Sequence, residues 1–169
     1  MTDIVRSHVT IGTVGDPELE SGYVSTVSGS SSQLGLRVQV SAGSQSAGRR
    51  IPVHNLGIDL RELVDGAVTS AVRDTICAHV AGTFAPAMLT LSDAAVNRLA
   101  RRGGWKIGVG YRTWISNEVG SVDHAADGLT FTSVAGGNML STPDDCSAEQ
   151  VVAAMTETLT RNSLDEIPH

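Results

Sequence analysis

The stretch DLRELVDGAVTSAVRDTICAHVAGTF, residues 59–84, carries the longest helical pattern in the chain. Apolar residues recur at three- and four-residue spacing through its first half, which predicts one buried helix face. These residues are Leu60, Leu63, Val64, Ala67, Val68, Ala71 and Val72. Asp59 is suited to cap the first turn with Glu62 completing a capping box, and Gly82 is suited to end the helix. The sequence therefore predicts one long helix that organises the rest of the fold.

A ridge of small residues runs along this predicted helix, formed by Ala67, Ala71 and Ala78 with Asp74 among them. If another element covers the ridge, Asp74 needs a cationic partner such as an arginine, or its pKa rises. If the ridge is the exposed border of the apolar face, Asp74 needs no partner. We assign these four residues to a candidate protein interface.

Before the helix, period-two alternation predicts strands at 4–14, 23–27 and 34–40. The third is the clearest, because its aliphatic residues alternate strictly with small or polar ones, which places a core on one face only. The segment 41–48 is predicted to be a loop, and 49–53 an extended edge segment because Pro52 cannot donate a backbone hydrogen bond.

After the helix, Thr90 or Ser92 is suited to cap a second helix that ends at Gly103 and Gly104. Alternation then predicts strands at 105–113 and 129–134. In the first of these, glycines at 108 and 110 leave a groove or allow close approach of another backbone. A loop is predicted at 136–138. Ser147 and Gln150 form a capping box for a last helix.

This order of elements predicts an α+β fold, with an antiparallel or mixed sheet of about five to six strands packed against one long helix and two shorter helices. We expect a single domain over residues 1–161 and a polar C-terminal tail over 162–169.

Composition excludes several classes of protein. The chain has 169 residues, a net charge of −6 and 41% hydrophobic residues, and its apolar runs are shorter than the ~18 residues of a membrane span. The acidic balance disfavours a general nucleic-acid binder. The N-terminal residues do not resemble a secretion signal, and the two cysteines of the chain fit a reducing compartment. We therefore expect a location in the cytoplasm or in a particle assembled there. The arginine-dominated cations suggest a bacterial or phage genome.

Candidate catalytic residues are few. His54 and Asp59 flank the predicted helix start and are candidates for an acid–base pair, with His8 as a third member. The alternative is that His54 hydrogen-bonds to backbone in a turn. In the enzyme hypothesis, Tyr111 and Arg112 contact an anionic substrate. The chain has no P-loop, no Gly-x-Ser-x-Gly motif and no His-Glu-x-x-His motif.

Two further clusters are candidates for binding. Asp123, His124 and Asp127 have ligand types suited to a divalent metal, although a polar loop collects such residues for its turns; we predict no metal and no cofactor. Five cations are interleaved in sequence with Trp105 and Trp114 and form a candidate site for a phosphate, an acidic partner or a single strand: Arg98, Arg101, Arg102, Lys106 and Arg112. A solvated helix end explains the same residues.

The absence of catalytic motifs and the surplus of apolar helix surface favour a non-enzymatic assembly or protein-interaction subunit that forms a homo-oligomer. We predict a structural or accessory component of a phage particle or another bacterial assembly. The alternative is a small enzyme or ligand-binding domain with a pocket between the sheet and the long helix.

Overall fold

The computed structural model describes residues 9, 11–18, 21–44 and 53–167. These residues form seven strands and three helices, and contacts divide the chain into two units, one ending at Val68 and the other beginning at Thr69. The predicted α+β class is confirmed. The predicted single sheet is wrong in detail, because the strands form two antiparallel sheets, one of three strands and one of four.

The N-terminal unit contains an antiparallel sheet of three consecutive strands: β1 (Tyr23–Ser30), β2 (Leu34–Ser44) and β3 (Val53–Glu62). Predicted strands at 23–27 and 34–40 are confirmed, and β2 extends into the predicted loop as far as Ser44. Most of the predicted strand at 4–14, residues 45–48 of the predicted loop and residues 49–52 lie outside the described residues. Within the described part of 4–14, Val9 and Ile11 each form a single bridge.

The first part of the predicted long helix is wrong, because Asp59 and Glu62 belong to β3. The physical reason is cross-strand pairing: Leu56, Ile58 and Leu60 alternate along β3, and each lies opposite an aliphatic residue of β2. The same residues that fit a helical spacing also fit a spacing of two, and the neighbouring strand decides between them. The helix begins only after Thr69, whose hydroxyl accepts a hydrogen bond from the Val72 amide.

The sheet of the N-terminal unit has one face that we call the aliphatic face. Strand alternation and register place these residues on it: Val27, Leu34, Leu36, Val38, Val40, Leu56, Ile58 and Leu60. The opposite face carries Arg37, Gln39, Asn55, Asp59 and Arg61. Val27 is 67% exposed, Leu36 41% and Val40 39%. Among residues 9, 11–18, 21–43 and 54–68, no hydrophobic side chain is buried.

The C-terminal unit consists of these elements: α1 (Ser70–Phe84), β4 (Met88–Leu91), α2 (Ala94–Ala100), β5 (Arg112–Ser116), β6 (Thr130–Val134), β7 (Gly137–Ser141) and α3 (Ala148–Arg161). The strands form an antiparallel sheet in the order β4-β5-β7-β6. The predicted strand at 129–134 and the predicted capping box of Ser147 and Gln150 are confirmed. Neither β4 nor β7 was predicted, and β7 replaces the loop predicted at 136–138.

Several boundaries differ from prediction. Helix α1 continues past Gly82 to Phe84 and ends at Ala85, which takes the left-handed conformation expected of Gly82. Asp93 caps α2 by accepting a hydrogen bond from the Val96 amide at 2.8 Å, in place of Thr90 or Ser92, and the helix ends at Ala100. The strand predicted at 105–113 begins only at Arg112. A Cβ at Gly110 would lie 2.8 Å from the carbonyl carbon of Leu91, so this glycine permits the close backbone approach that the sequence suggested.

Helices cover both faces of the four-stranded sheet. On one face, Cys77 and Ala81 of α1 pack with Trp114 and Met139. On the other, α2 and α3 enclose the larger core, which includes Val96, Ile115, Leu140, Val151, Met155 and Leu159. The C-terminal unit therefore has three layers, with a hydrophobic core on each side of its sheet.

The segment after α3 lies against this unit. Leu164 is buried in the larger core, and Asp165 forms salt bridges with Arg102, at 2.7 Å, and with Lys106. None of the helices in the described ranges combines the length and the apolar character needed to cross a membrane.

Candidate functional site

An open cavity of about 450 Å³ lies in the C-terminal unit beside α1. Helix α1 packs over Leu89 and Leu91 of β4 and Trp114 of β5, and alternation directs side chains of β6 and β7 to this same face of the sheet. The lining comprises Ser70, Asp74, Ala78, Arg112, Gly128, Thr130, Thr132, Val134, Met139, Ser141, Thr142 and Pro143. The position of this cavity follows from a four-stranded sheet with a single helix on that face.

Arg112 lines the cavity and is only 2% exposed. Its Nε donates to Asp74 Oδ1 at 2.5 Å, and its Nη1 donates to the Tyr111 and Thr142 carbonyls at 2.8 and 3.0 Å. Its Nη2 donates to the Ser70 hydroxyl. A buried guanidinium requires this degree of pairing, because an unpaired charge in the interior is strongly destabilising. Arg112 thus joins α1 to β5 and holds the carboxylate of Asp74 at the cavity wall.

The ion pair continues into a network around the same end of the sheet. Arg73 Nη1 donates to Asp144 Oδ1 at 3.1 Å, and the Arg73 guanidinium lies 5.1 Å from the centre of the Tyr111 ring. Tyr111 donates in turn to Asp93 at 3.0 Å. Burial raises the pKa of Tyr111, and its hydrogen bond to Asp93 adds to this effect. The network links α1, the N-cap of α2 and the turn before α3.

Comparisons with known proteins leave the function open. No family model, curated protein or solved structure matches this chain. Function therefore has to be inferred from geometry and chemistry.

The candidate acid–base pair of His54 and Asp59 is not formed. Both residues lie on β3, five positions apart, which is about 16 Å along a strand and on opposite faces. The Nδ1 of His54 accepts a hydrogen bond from the Gly43 amide at 3.3 Å, which is the backbone role weighed as the alternative. His8 lies outside the described residues. Neither His54 nor Asp59 lines the cavity.

Arg112 and Tyr111, the candidates for an anionic substrate, occupy different positions. Arg112 lines the cavity and Tyr111 does not. The guanidinium already donates to Asp74, to Ser70 and to two carbonyls. It has little capacity left for an anion.

The candidate interface ridge is divided by the true start of α1. Ala67 precedes the helix and Ala71 is exposed, whereas Asp74 and Ala78 line the cavity together with Ser70. Asp74 has the arginine partner expected for a covered position, although its own side chain is 54% exposed. The helix therefore presents Ser70, Asp74 and Ala78 to the cavity.

The basic cluster is largely neutralised. Arg102 pairs with Asp165, Lys106 pairs with Asp165 and Glu166, and Arg112 is buried against Asp74. The hydrogen bond that Lys106 donates to Asp165 lowers the pKa of Asp165. The hydrogen bonds that Lys106 donates to Asp165 and Glu166 raise the pKa of Lys106. Within residues 53–167, only Arg98 and Arg101 of this cluster have no acidic partner. Such a surface gives few free cations for phosphate contacts.

Among the residues that the structure describes, no group of three or more His, Cys, Asp and Glu side chains is placed to hold a metal ion. Asn162 holds the backbone of the loop that contains Asp123 and His124. Its Oδ1 accepts hydrogen bonds from the backbone amides of these two residues, at 2.8 and 3.1 Å. Cys77 and Cys146 are both free thiols. Burial raises the pKa of Cys77 to about 11, so this thiol is not activated as a nucleophile.

Sequence reasoning missed the hydroxyl side chains of the cavity: Ser70, Thr130, Thr132 and Ser141. The alternation in the predicted strand at 129–134 does place Thr130 and Thr132 on one face. It could not indicate Ser70 or Ser141, which reach the cavity from α1 and from the unpredicted β7.

Proposed function

We propose that this protein is a non-enzymatic assembly subunit that associates with copies of itself through the aliphatic face of the N-terminal sheet. One observation carries this proposal: a row of aliphatic side chains on one face of the sheet includes Val27, which is 67% exposed, and Leu36 and Val40, which are about 40% exposed, and the other face is mainly polar. Monomeric proteins rarely leave a large contiguous apolar patch in water, and such patches mark association sites.

A second copy is the occupant that best matches this face. The face has aliphatic residues on all three strands, and its one Asp, Glu, Lys or Arg among the strand residues is Glu62 at the end of β3, opposite Leu34. The aliphatic centre of two such faces is self-complementary, and antiparallel sheets commonly pack face to face. The net charge of −6 keeps the rest of the surface hydrated.

The size of the face sets the expected strength of association. With strands of up to 11 residues, a rise of ~3.3 Å per residue and ~4.8 Å between strands, the face measures roughly 30 by 14 Å, or roughly 400 Å² in projection. A standard stable interface buries about 800 Å² on each partner. This face alone therefore favours a dimer that dissociates on dilution, and a tighter assembly requires further surfaces.

Within this proposal, the wider role is that of a structural or accessory component of a phage particle or another bacterial assembly, located in the cytoplasm or in a particle assembled there. The acidic charge balance and the paired state of Arg102, Lys106 and Arg112 support a protein partner over nucleic acid. The alternative of a small enzyme has less support, because of its four suggested residues only Arg112 lines the cavity.

The test is molar mass in solution by light scattering, from about 1 µM to 1 mM and at low and high salt, a range that spans weak dissociation constants. We expect the mass to rise from one chain towards two with concentration, and the association to persist at high salt because aliphatic contacts, which salt does not screen, dominate the interface. The double variant Leu36→Lys and Val40→Lys should stay monomeric, since both side chains are accessible enough in the monomer to carry a charge.

The matched control places two lysines on the polar face of the same sheet, as Gln39→Lys with Asn55→Lys. Both positions are exposed. This control adds the same charge and should associate like the wild type. A wild-type monomer at the highest concentration, or equal association of the two double variants, would contradict the proposal.

A further inference from the structure

The cavity beside α1 has the composition of a binding site for a hydroxylated ligand. The hydroxyls of Thr130 and Thr132 on β6 and of Ser141 on β7 border it, and among the described residues these three hydroxyls have no hydrogen-bond partner. Met139 and Ala78 contribute apolar surface to the same lining. A volume of about 450 Å³ falls within the range of about 300–1,000 Å³ that is typical of small-molecule pockets.

The charges around the cavity cancel. Arg112 pairs with Asp74 and lies 3.8 Å from Asp144, and Arg73 pairs with Asp144 at 3.1 Å. Two cations and two anions therefore meet at one end of the site. Only Oδ1 of Asp74 is used in this pairing, and within the described residues its Oδ2 has no protein donor.

This arrangement discriminates between classes of ligand. An anion would find the N–H groups of Arg112 already donating and the carboxylate of Asp74 facing it. A cation at Asp74 would lie close to the guanidinium that Asp74 already neutralises. A neutral hydroxyl group, in contrast, donates to Asp74 Oδ2 in a charge-assisted hydrogen bond and exchanges further bonds with the threonine and serine hydroxyls.

We propose that the cavity formed by α1, β6 and β7 binds a neutral polyhydroxylated small molecule of the mono- or disaccharide class. Asp74 accepts from ligand hydroxyls, Arg112 fixes the position of that carboxylate, and Thr132 and Ser141 provide hydroxyl contacts from the sheet. The site lies entirely in the C-terminal unit, and the inference does not depend on self-association through the aliphatic face.

The test uses isothermal titration calorimetry on the full chain with D-glucose, D-galactose, N-acetyl-D-glucosamine and maltose as probes. Inorganic phosphate and spermidine serve as the anionic and cationic comparisons. We expect saturable binding of at least one saccharide that is tighter than binding of phosphate or spermidine. Thr132→Val, which keeps the shape and removes one hydroxyl, should weaken that binding about 10-fold, the effect of one neutral hydrogen bond.

Two further variants separate binding from folding. Thr132→Phe projects a ring from exposed β6 into the cavity and should abolish saccharide binding. Ser133→Ala lies on the opposite face of the same strand, outside the lining, and should bind like the wild type. Unchanged circular dichroism in both variants shows that the fold is retained.

Three results would overturn the proposal: no saturable binding of any of the four saccharides, saccharide binding that persists in Thr132→Phe, or tighter binding of phosphate or spermidine than of every saccharide. The first two remove the site, and the third removes the ligand class.

Discussion

The two sheets of this protein are built by the same local rules and differ in what covers them. In the N-terminal sheet, Leu36 of the central strand β2 is 41% exposed, whereas Leu140 of the inner strand β7 in the C-terminal sheet is fully buried. Both leucines lie in antiparallel strands, each with a neighbour on either side. Alternation therefore determines which side chains share a face, and a separate element must supply the cover.

This difference has an energetic meaning. The C-terminal sheet gains burial on both faces from α1, α2 and α3, and the free energy gained by burying apolar surface is about 25 cal/mol per Å². Residues 9, 11–18, 21–43 and 54–68 of the N-terminal unit include no buried hydrophobic side chain to provide this gain. The proposed association through the aliphatic face would supply the missing burial.

The largest expected effect comes from the same substitution made in each sheet. Leu140→Ala creates a cavity at a fully buried position and should lower the free energy of unfolding by about 3 kcal/mol. Leu36→Ala removes a side chain that water already reaches and should cost no more than about 1 kcal/mol in the monomer.

Urea unfolding at low protein concentration measures both effects. Trp105 and Trp114, the two tryptophans of the chain, lie in the C-terminal unit, so fluorescence follows that unit. Far-UV circular dichroism includes the strands of the N-terminal unit. An equal loss of unfolding free energy in the Leu36→Ala and Leu140→Ala variants under these conditions would show that the aliphatic face is covered within the monomer. The two sheets would then not differ in cover.

A somewhat smaller single effect is expected at one of two strand glycines. A Cβ at Gly137 on β7 would lie 2.5 Å from the Trp114 ring, so Gly137→Ala should destabilise the C-terminal unit by about 2–3 kcal/mol through overpacking. A Cβ at Gly57 on β3 would approach nothing closer than 3.9 Å, and Gly57→Ala should be neutral or slightly stabilising. Thermal unfolding of the two variants checks this pair. A large loss for Gly57→Ala would indicate tight packing on the N-terminal sheet.

The smallest expected effect concerns the thiol in the core below α1. Burial raises the pKa of Cys77 from 9.0 to about 11, so the folded state holds this proton more tightly than the unfolded state. The resulting stabilisation is fully present below pH 9 and is lost as the pH rises towards 11, by up to about 2 kcal/mol. The Cys77→Ala variant cannot titrate at this position.

Urea unfolding of the wild type and of Cys77→Ala at pH 8.5 and near pH 11 isolates this contribution, because other titrating groups cancel in the difference. The stability of the wild type relative to the variant should fall with rising pH. A difference that stays constant would mean that water reaches the thiol and that α1 covers the sheet less tightly than Trp114 and Ala81 suggest.

Parts of the fold that depend on local chemistry were predictable. The capping box of Ser147 and Gln150 sets the start of α3, and strict alternation at Leu34 to Val40 identifies β2. Asp59 shows the limit of such patterns. Its position in the sequence is that of a helix N-cap. In the structure, however, β2 pairs with Leu56, Ile58 and Leu60, so β3 continues past Asp59.

The site was less predictable because its parts are distant in sequence. Asp74 and Arg112 are both conspicuous charged residues, and the possibility of an arginine partner for Asp74 followed from its position. Which arginine it would be depended on the order β4-β5-β7-β6, which brings Arg112 beneath α1. The glycines at 136 and 137 suggested a loop over 136–138. Gly136 instead takes a left-handed conformation in the two-residue turn between β6 and β7, and Gly137 already belongs to β7.

The segment between β3 and α1 has a practical consequence for handling this protein. Leu63, Val64, Asp65 and Gly66 are all exposed, and they precede the boundary between the two units at Val68. Exposed segments of this kind are where proteases cut and where insertions are tolerated. A cleavage site engineered at Asp65 and Gly66 would therefore be accessible to a protease in the folded protein, and cutting there would divide the chain between the aliphatic sheet and the cavity-bearing unit.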